Sequence, residues 1–509
     1  MFFPYDTSTA GLPPPDSTRT LTVQNGDTVR LSMDWVAKRI NGHKIRMLGY
    51  NKSIPGPTIR IPQNARITLL LTNNTSLPTS LHSHGIRMDS SIYDGAPMDG
   101  SALIDSGQTG VYHLNFPDAG MFWYHPHVRE DYQQELGMYG NYVVIPADSA
   151  YWPTVHRELP LMINDLLLKT TGLQTYYSND VNYTMMGRFG NVFLINGDTD
   201  FVLHVKRNEV IRFYATNSSS ARIYNLQFSD PQLRMNLIGS DVGRYLTPKI
   251  RTSDLLGPAE RLVFQTWFND TAGKWDTVRI WHVTPYQTFV LGKIVYDADT
   301  AATDLRSSIT TAESPIVKAS IDSFRVFFGT PPEQEITLYG YMDHSQPMAP
   351  LKVSASQYDP NLNNQLVYRD WYDNMGAMNS QSDTANMHWI MRDDKTGLVN
   401  HAIHWVFRRG SAPLIRIHND STSVDPAHPH YMFHPMAHAI HFHGQRFLVV
   451  AQNGKVPDDA FVWKDTYLVA PGSTVDLLLD ASNPGDWMFH CHLAEHLEAG
   501  MMAHFSVAP

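Results

Sequence analysis

Four histidine pairs of the form His-x-His are the feature of this sequence that most clearly suggests chemistry. Residues i and i+2 of a β-strand point to the same face, so each pair directs two imidazoles the same way. Imidazole suits zinc, copper, iron and nickel, so the histidines alone predict a transition metal without naming it. One such pair is more often two partly exposed, hydrogen-bonded histidines, but four pairs weaken that explanation. The pairs are His82 and His84, His125 and His127, His441 and His443, and His490 and His492.

The single cysteine of the chain, Cys491, lies between the last two of these histidines and excludes an intramolecular disulfide. On a strand it must face away from both neighbours, so it would meet a different metal. A lone cysteine is more often an inert buried thiol, but the flanking histidines favour a ligand. Two histidines, a thiolate and a weak axial methionine make up a blue-copper electron-transfer site. The residues that could complete this set are His438, His496 and Met501.

β-Strands are the elements expected to position these side chains. Runs of β-branched and aromatic residues alternate with turn residues, which is typical of sandwiches. One strand signal recurs three times, as ARITLLLTNNT, EVIRFYATNSSS and APLIRIHNDSTS. We therefore predict an all-β chain with three copies of one module, at residues 1–150, 151–310 and 311–509. The histidine pairs occur only in the first and third copies, which predicts one metal site between them.

Composition excludes several classes of protein. The chain has 509 residues, with 39 Lys and Arg against 49 Asp and Glu, and a net charge of -10. A chain this acidic lacks the basic footprint of a nucleic-acid partner. No apolar run approaches the roughly 18 residues that a membrane span needs. Residues 1–20 lack the cationic and apolar regions of a signal peptide.

Together, these motifs resemble those of three-domain multicopper oxidases of the laccase type. The resemblance covers essentially the whole chain and rests on YNKSIPGPTIR, HSHG, FWYHPH, HAIHFHG and HCHLAEHLEAGMM, with VFLING, IRFYATN and GPAER in the middle copy. It implies three cupredoxin-like Greek-key β-sandwich domains, the second without copper. It also implies four copper ions, namely one type 1, one type 2 and two type 3. Ser83 stands where the family usually has tryptophan, which changes a neighbour of the ligands but no ligand.

The resemblance also implies which residues bind each copper. The type 1 site would contain Cys491, which would also pass electrons on to His490 and His492. The proposed sets are His438, Cys491, His496 and Met501 for type 1, His82 and His441 for type 2, His84, His125 and His492 for one type 3 copper, and His127, His443 and His490 for the other.

Reduction of dioxygen to water consumes four protons, so a carboxylate that relays protons is expected near the cluster. Asp94, in the DGAP segment, is the first candidate for this catalytic role, although Asp-Gly is also a turn signal. Relatives commonly carry a second carboxylate three or six residues after the cysteine, where this chain has Ala494 and Leu497. The second relay group stays open between Glu495, Glu498 and neither.

The resemblance implies an exported, periplasmic or extracellular laccase-type enzyme that oxidises phenols or aromatic amines and reduces dioxygen to water. A cuprous or ferrous oxidase is the first alternative, because thioethers suit Cu(I). Gap-filling is the simpler explanation of the methionines concerned. A non-catalytic scaffold is an alternative of another class. The methionines are Met342, Met348, Met375, Met378, Met387 and Met391.

Overall fold

β-Strands dominate the computed structural model, which is 52% strand and 7% helix, so the all-β prediction is confirmed. The structure describes residues 6–97, 100–169, 172–173, 187–269, 277–285, 287–343, 387–420, 431–433, 436–457 and 461–508. Every strand pairing among these residues lies within one of three consecutive parts of the chain, which we call the first, second and third sandwich. The domain limits at residues 150 and 310 stay predictions. No helix in the described ranges is long and apolar enough to cross a membrane.

The first sandwich has nine strands and one short helix. They are β1 (Thr20–Thr22), β2 (Thr28–Ile40), β3 (His43–Tyr50), β4 (Thr58–Pro62), β5 (Arg66–Asn73), β6 (His82–His84), β7 (Thr109–Asn115), β8 (Gly120–His125), α1 (Glu130–Gln133) and β9 (Gly140–Ile145). One sheet has the order β3-β2-β5-β7 and the other β1-β4-β9-β8-β6. Burial alternates along β5, as in a strand with one face on the core. β8 is buried throughout because its outer face contacts the second sandwich.

The second sandwich has thirteen strands. They are β10 (Arg157–Leu166), β11 (Leu168–Lys169), β12 (Gly172–Leu173), β13 (Val192–Ile195), β14 (Val202–Arg207), β15 (Glu209–Asn217), β16 (Tyr224–Phe228), β17 (Met235–Ser240), β18 (Gly243–Arg251), β19 (Ser253–Leu256), β20 (Arg261–Phe268), β21 (Thr277–Val283) and β22 (Thr288–Thr300). Its sheets have the orders β13-β10-β15-β20-β17-β18 and β14-β22-β21-β16-β19, with β11-β12 as a separate hairpin. Its apolar core forms a cluster of its own.

The third sandwich has eleven strands and two helices. They are α2 (Pro315–Asp322), β23 (Gln334–Asp343), β24 (Met387–Asp393), β25 (His404–Arg408), β26 (Leu414–Asn419), β27 (Tyr431–Phe433), β28 (His438–Phe442), β29 (Arg446–Gln452), β30 (Thr466–Val469), β31 (Thr474–Asp480), β32 (Gly485–Cys491), α3 (Ala494–Glu498) and β33 (Met502–Ala508). β24-β23-β26-β31-β29 form one sheet, with β27 beside β23, and β25-β33-β32-β28-β30 form the other. Its core is continuous with that of the first sandwich. The first and third sandwiches therefore pack directly on each other.

The strand signal that recurs in the sequence forms an equivalent strand in each sandwich. These strands, β5, β15 and β26, each lie between one parallel and one antiparallel neighbour. Each ends in a buried asparagine, Asn73, Asn217 or Asn419. The Nδ2 atom of each asparagine donates to two backbone carbonyls from other segments of the same sandwich. The repeated sequence signal therefore corresponds to a buried asparagine that links neighbouring segments, because a buried amide must be hydrogen-bonded.

Candidate metal centre

Strand pairing and sandwich packing bring the four histidine pairs to one place. β6 pairs with β8 so that His82 lies opposite His125, and β28 pairs with β32 in the same way. Between the sandwiches, the ring centroids of His82 and His443 are 4.3 Å apart, and those of His84 and His441 are 3.7 Å apart. All eight imidazoles are buried. The structure thus places them between the first and third sandwiches.

Hydrogen bonds fix which nitrogen of most rings carries a proton. The Nδ1 atoms of His82, His125, His441 and His490 donate to backbone carbonyls at 2.8 to 3.0 Å. Their Nε2 atoms therefore carry the lone pair. For His82, His125 and His441, that atom is buried without a hydrogen-bond partner in the described part of the chain. Such an orphaned acceptor is costly, and a metal ion is the group that histidines held in this way fit.

Two buried aspartates hold further rings across the boundary between the sandwiches. Asp94 of the first sandwich places Oδ2 2.6 Å from Nδ1 of His443 in the third. Asp465 of the third sandwich places Oδ1 3.1 Å from Nε2 of His84 in the first. His84 therefore donates from Nε2 and keeps its lone pair on Nδ1, the reverse of most of the other rings. Its sequence context gives no sign of this reversal.

Three ring nitrogens from one predicted type 3 set converge on a common point. Nε2 of His490 lies 3.0 Å from Nε2 of His443 and 3.4 Å from Nε2 of His127. Burial lowers the pKa of His490 to about 4. Burial and the neighbouring imidazoles hold the pKa values of His127 and His443 well below the usual range. All three rings are therefore neutral, as metal ligands must be.

The remaining predicted ligands of the cluster lie together but are shared among several possible groupings. His84, His125 and His492 have ring centroids 5.0 to 5.8 Å apart. His82 and His441, the predicted type 2 pair, have centroids 5.8 Å apart. Ligand atoms also come within 4.8 Å of one another in the group His82, His84 and His125. The allocation of single histidines to single copper ions therefore stays a prediction.

A second donor group surrounds Cys491. Its Sγ lies 3.5 Å from Nδ1 of His438 and 3.6 Å from Nδ1 of His496. Sulfur and nitrogen ligands about 2.3 and 2.0 Å from one tetrahedral ion would be about 3.5 Å apart. Met501 is buried, and its carbonyl accepts a hydrogen bond of 3.1 Å from the Cys491 amide. The donor set fits a single soft metal ion, and the axial role of the Met501 sulfur stays a prediction.

Trp389 of β24 covers this second group. Its indole stacks on His496 with ring centroids 3.7 Å apart and meets His438 edge-on at 5.6 Å. On the neighbouring strand, Gly340 makes room for the indole, because a Cβ there would lie 2.2 Å from the ring. Both histidines are 0% exposed. No motif in the sequence indicated that Trp389 would contact a proposed ligand.

A carboxylate that contacts the cluster on the His127 side, Glu130, is not one of the two candidates that the sequence analysis left open. Glu495 accepts a hydrogen bond of 2.7 Å from the Arg188 amide. Glu498 lies 3.3 Å from the Glu130 amide. Glu130 itself places Oε1 3.2 Å from Nδ1 of His127, and burial followed by nearby acidic groups raises its pKa well above the usual range. The sequence signal for Glu130 was its position three residues after His127.

Two family models described as multicopper oxidase match this chain, at residues 32–149 and 372–509, together half of its length. The chain belongs to the multicopper oxidases. It is therefore a copper-dependent oxidoreductase that takes electrons from a reducing substrate and passes them to dioxygen. The prediction of an enzyme is confirmed, as is the cupredoxin-like fold.

The relatives of this multicopper oxidase differ in what they oxidise. The multicopper oxidase mco of Staphylococcus epidermidis is 25% identical, with 90% of this chain and 83% of that protein covered. Laccase-7 of Arabidopsis thaliana is 23% identical, with 95% and 90% covered. A solved metallo-oxidase of Campylobacter jejuni superposes with a TM-score of 0.70 at 21% identity, covering 99% of both chains. A laccase of Pediococcus acidilactici gives 0.71 at 20% identity, covering 100% and 96%. At these identities the structural likeness shows the fold alone.

Proposed function

We propose that this multicopper oxidase is a laccase-type enzyme that takes single electrons from a phenol or an aromatic amine and reduces dioxygen to two molecules of water. The observation that carries this proposal is the position of Cys491 between the two donor groups. Its sulfur belongs to one group, while the rings of the adjacent residues, His490 and His492, belong to the other. One-electron entry and four-electron use can then occur at separate sites joined by a covalent path.

We assign four copper ions to these donors. Bound copper would supply one-electron redox chemistry at the Cys491 group and dioxygen reduction at the histidine cluster. The chain's own part is to present neutral imidazoles with fixed tautomers in a buried interface. The assigned sets are His438, Cys491, His496 and Met501 for type 1, His82 and His441 for type 2, and the two trios His84, His125, His492 and His127, His443, His490 for type 3.

We assign the supply of protons to Asp94. It is fully buried, it contacts His443 at 2.6 Å and His82 at 3.3 Å, and its Oδ1 has no hydrogen-bond partner within the described residues. A carboxyl group so placed can hold a proton at Oδ1 while Oδ2 continues to orient His443. The overall reaction takes four electrons and four protons for each dioxygen and releases two waters.

Two described methionines support an organic reductant over a metal ion guided by thioethers. Met387 and Met391 are buried in the core at 2% and 0% exposure, as gap-filling residues are. Met348, Met375, Met378 and the side chain of Met342 lie outside the described residues. Because His438 and His496 are buried, electrons must enter through the residues that cover them. Trp389 is itself 1% exposed, so the electron of an aromatic donor would cross the residues outside the indole.

A metallo-oxidase is the second candidate function, and the name of one relative supports it. Iron transport multicopper oxidase FET3 of Kluyveromyces lactis is 24% identical over 95% of this chain and 76% of that protein. This identity is close to that of the plant laccase.

Steady-state oxygen consumption by the copper-loaded protein tests the proposal. A phenol, an aromatic amine, Cu(I) and Fe(II) are compared, with the C491S variant as the inactive control. We expect the organic donors to give the higher kcat/KM, and M375L with M378L to leave phenol turnover nearly unchanged. If Cu(I) is the faster donor and loses most of its rate in those two variants, a cuprous oxidase replaces the laccase assignment.

We further propose, from the family resemblance, that the protein acts outside the cytoplasm, in the periplasm or the extracellular space. Fractionation of the native host, followed by assay of each fraction, tests this. Activity confined to the cytoplasmic fraction contradicts it.

A further inference from the structure

The second sandwich provides none of the proposed copper ligands, yet one of its side chains reaches the edge of the histidine cluster. Arg261, at the start of β20, is 0% exposed. Its Nη1 donates to Oδ1 of Asp465 at 2.7 Å, and its Nη2 donates to Oδ2 of the same carboxylate. This bidentate geometry is the strongest and most directional form of an arginine–carboxylate pair.

The guanidinium of Arg261 touches all three sandwiches. Its Nε donates to the Met121 carbonyl of β8 at 3.0 Å, and Nη1 also donates to the Ala259 carbonyl at 2.9 Å. Asp465 belongs to the third sandwich. Arg261 therefore occupies the point where the three sandwiches meet, and its direction is fixed from each side.

Asp465, which Arg261 holds in place, contacts two proposed ligands. Its Oδ1 accepts a hydrogen bond from Nε2 of His84 at 3.1 Å, and its backbone carbonyl accepts one from Nδ1 of His441 at 2.9 Å. The hydroxyl of Thr466 lies 3.0 Å from the same His84 nitrogen and donates to Oδ1 of Asp465 at 2.8 Å. One carboxylate residue thus sets the tautomer of His84 and orients His441.

The residue that follows His84 shows how closely the pair fits against the ligand strand. Gly85 has φ +81°, and a Cβ there would lie 2.1 Å from Oδ2 of Asp465 and 2.9 Å from Nη2 of Arg261. Any other residue would push the ion pair away from His84. The glycine of the HSHG motif is therefore required both by its backbone conformation and by the Arg261–Asp465 pair.

We propose that Arg261 is a positioning residue for the histidine cluster, acting from the sandwich without copper through Asp465 on His84 and His441. This inference rests on the copper assignment made under the proposed function. It gives the second sandwich a direct part in the metal centre. Outer partners of metal-bound histidines typically affect metal affinity by about 10- to 100-fold.

Copper-loaded wild-type protein is compared with R261M, R261K and the control R222K. Arg222 is a matched control because it is buried in the same sandwich and pairs with Asp165 at 2.6 Å instead of with the cluster. The readouts are copper retained after dialysis against a chelator, the EPR signal of the copper outside the blue site, and the blue absorption. Lysine keeps the charge but cannot bind both carboxylate oxygens in parallel.

We expect R261M to lose copper from the histidine cluster at about 10- to 100-fold lower chelator concentration than wild type, with its blue absorption retained. R261K should fall between them with an altered EPR signal, and R222K should match wild type. If R261K retains copper as wild type does and shows an unchanged EPR signal, the inference is overturned. This test holds even if R261M fails to fold. Equal losses in R222K, or at both donor groups, overturn it too. A wild-type protein that holds no copper overturns both this inference and the proposed function.

Discussion

Replacement of Asp94 by asparagine separates two roles that the structure gives to this side chain. Asparagine keeps the size and can still accept a hydrogen bond from Nδ1 of His443, which lies 2.6 Å from Oδ2 in the wild-type protein. It has no ionisable oxygen, so it cannot pass a proton to the cluster. A hydrogen bond to a charged group contributes about 1.5–3 kcal/mol and a neutral one about 0.5–1.5 kcal/mol. The weaker orientation of His443 should therefore cost about 1–1.5 kcal/mol, which is roughly tenfold in rate.

Loss of proton transfer has a larger effect than loss of orientation. General acid catalysis typically contributes about 10²- to 10⁴-fold, so D94N should slow reoxidation by dioxygen at least about 100-fold. Anaerobic reduction of the blue site should be unaffected, because Asp94 contacts the cluster histidines and not the Cys491 group. Stopped-flow absorption measures both half-reactions on the same copper-loaded sample.

D465N is the matched control for this experiment. Asp465 is equally buried and contacts His84, but the guanidinium of Arg261 occupies its carboxylate. D465N also breaks the bidentate pair with Arg261, so the two variants are compared at equal copper occupancy, and we expect D465N to slow reoxidation less than D94N because Asp94 alone is assigned the proton. If D94N slows reoxidation no more than D465N does, or slows both half-reactions equally, the relay assignment is wrong.

Four further outcomes concern the Cys491 group. C491S should lose the blue absorption; persistence of that absorption would move the site elsewhere. Burial raises the pKa of Cys491 to about 12, so the thiol is protonated at neutral pH and must release its proton on copper loading. C491S should release about one proton fewer per protein, measured by calorimetry in buffers of different ionisation enthalpy; equal release refutes this. M501L should raise the reduction potential of the blue site by removing a weak donor that stabilises Cu(II); a shift in M502L instead would transfer the axial role. W389L should lower that potential because it admits water beside His496, whereas W389F should not; equal shifts would exclude shielding by the ring.

The grouping of side chains at the candidate metal centre could be predicted because their spacing is local, and their roles as ligands stay predictions. His-x-His on a strand defines a face within three residues, and Cys491 between two histidines defines the opposite face. The repeat strands β5, β15 and β26 were visible for the same reason. Glu130 lies three residues after His127 and was within reach of local spacing. Trp389 could not be found in this way, because it meets His438 and His496 only after the chain has folded. A lysine and an aspartate inside the apolar run FVWKDTYLVA were a usable signal for Asp465, since buried charges need partners.

The contacts that orient the ligands are encoded differently from the ligands themselves. Asp94 and His443 are 349 residues apart in the chain, and His84 and Asp465 are 381 apart. Each pair joins the first sandwich to the third, so neither ring acquires its final tautomer until the two sandwiches have docked. Arg261 then fixes the second of these contacts from the sandwich without copper. A strand pattern can specify which imidazoles share a face, but only the assembled interface specifies which nitrogen each imidazole offers to a metal ion.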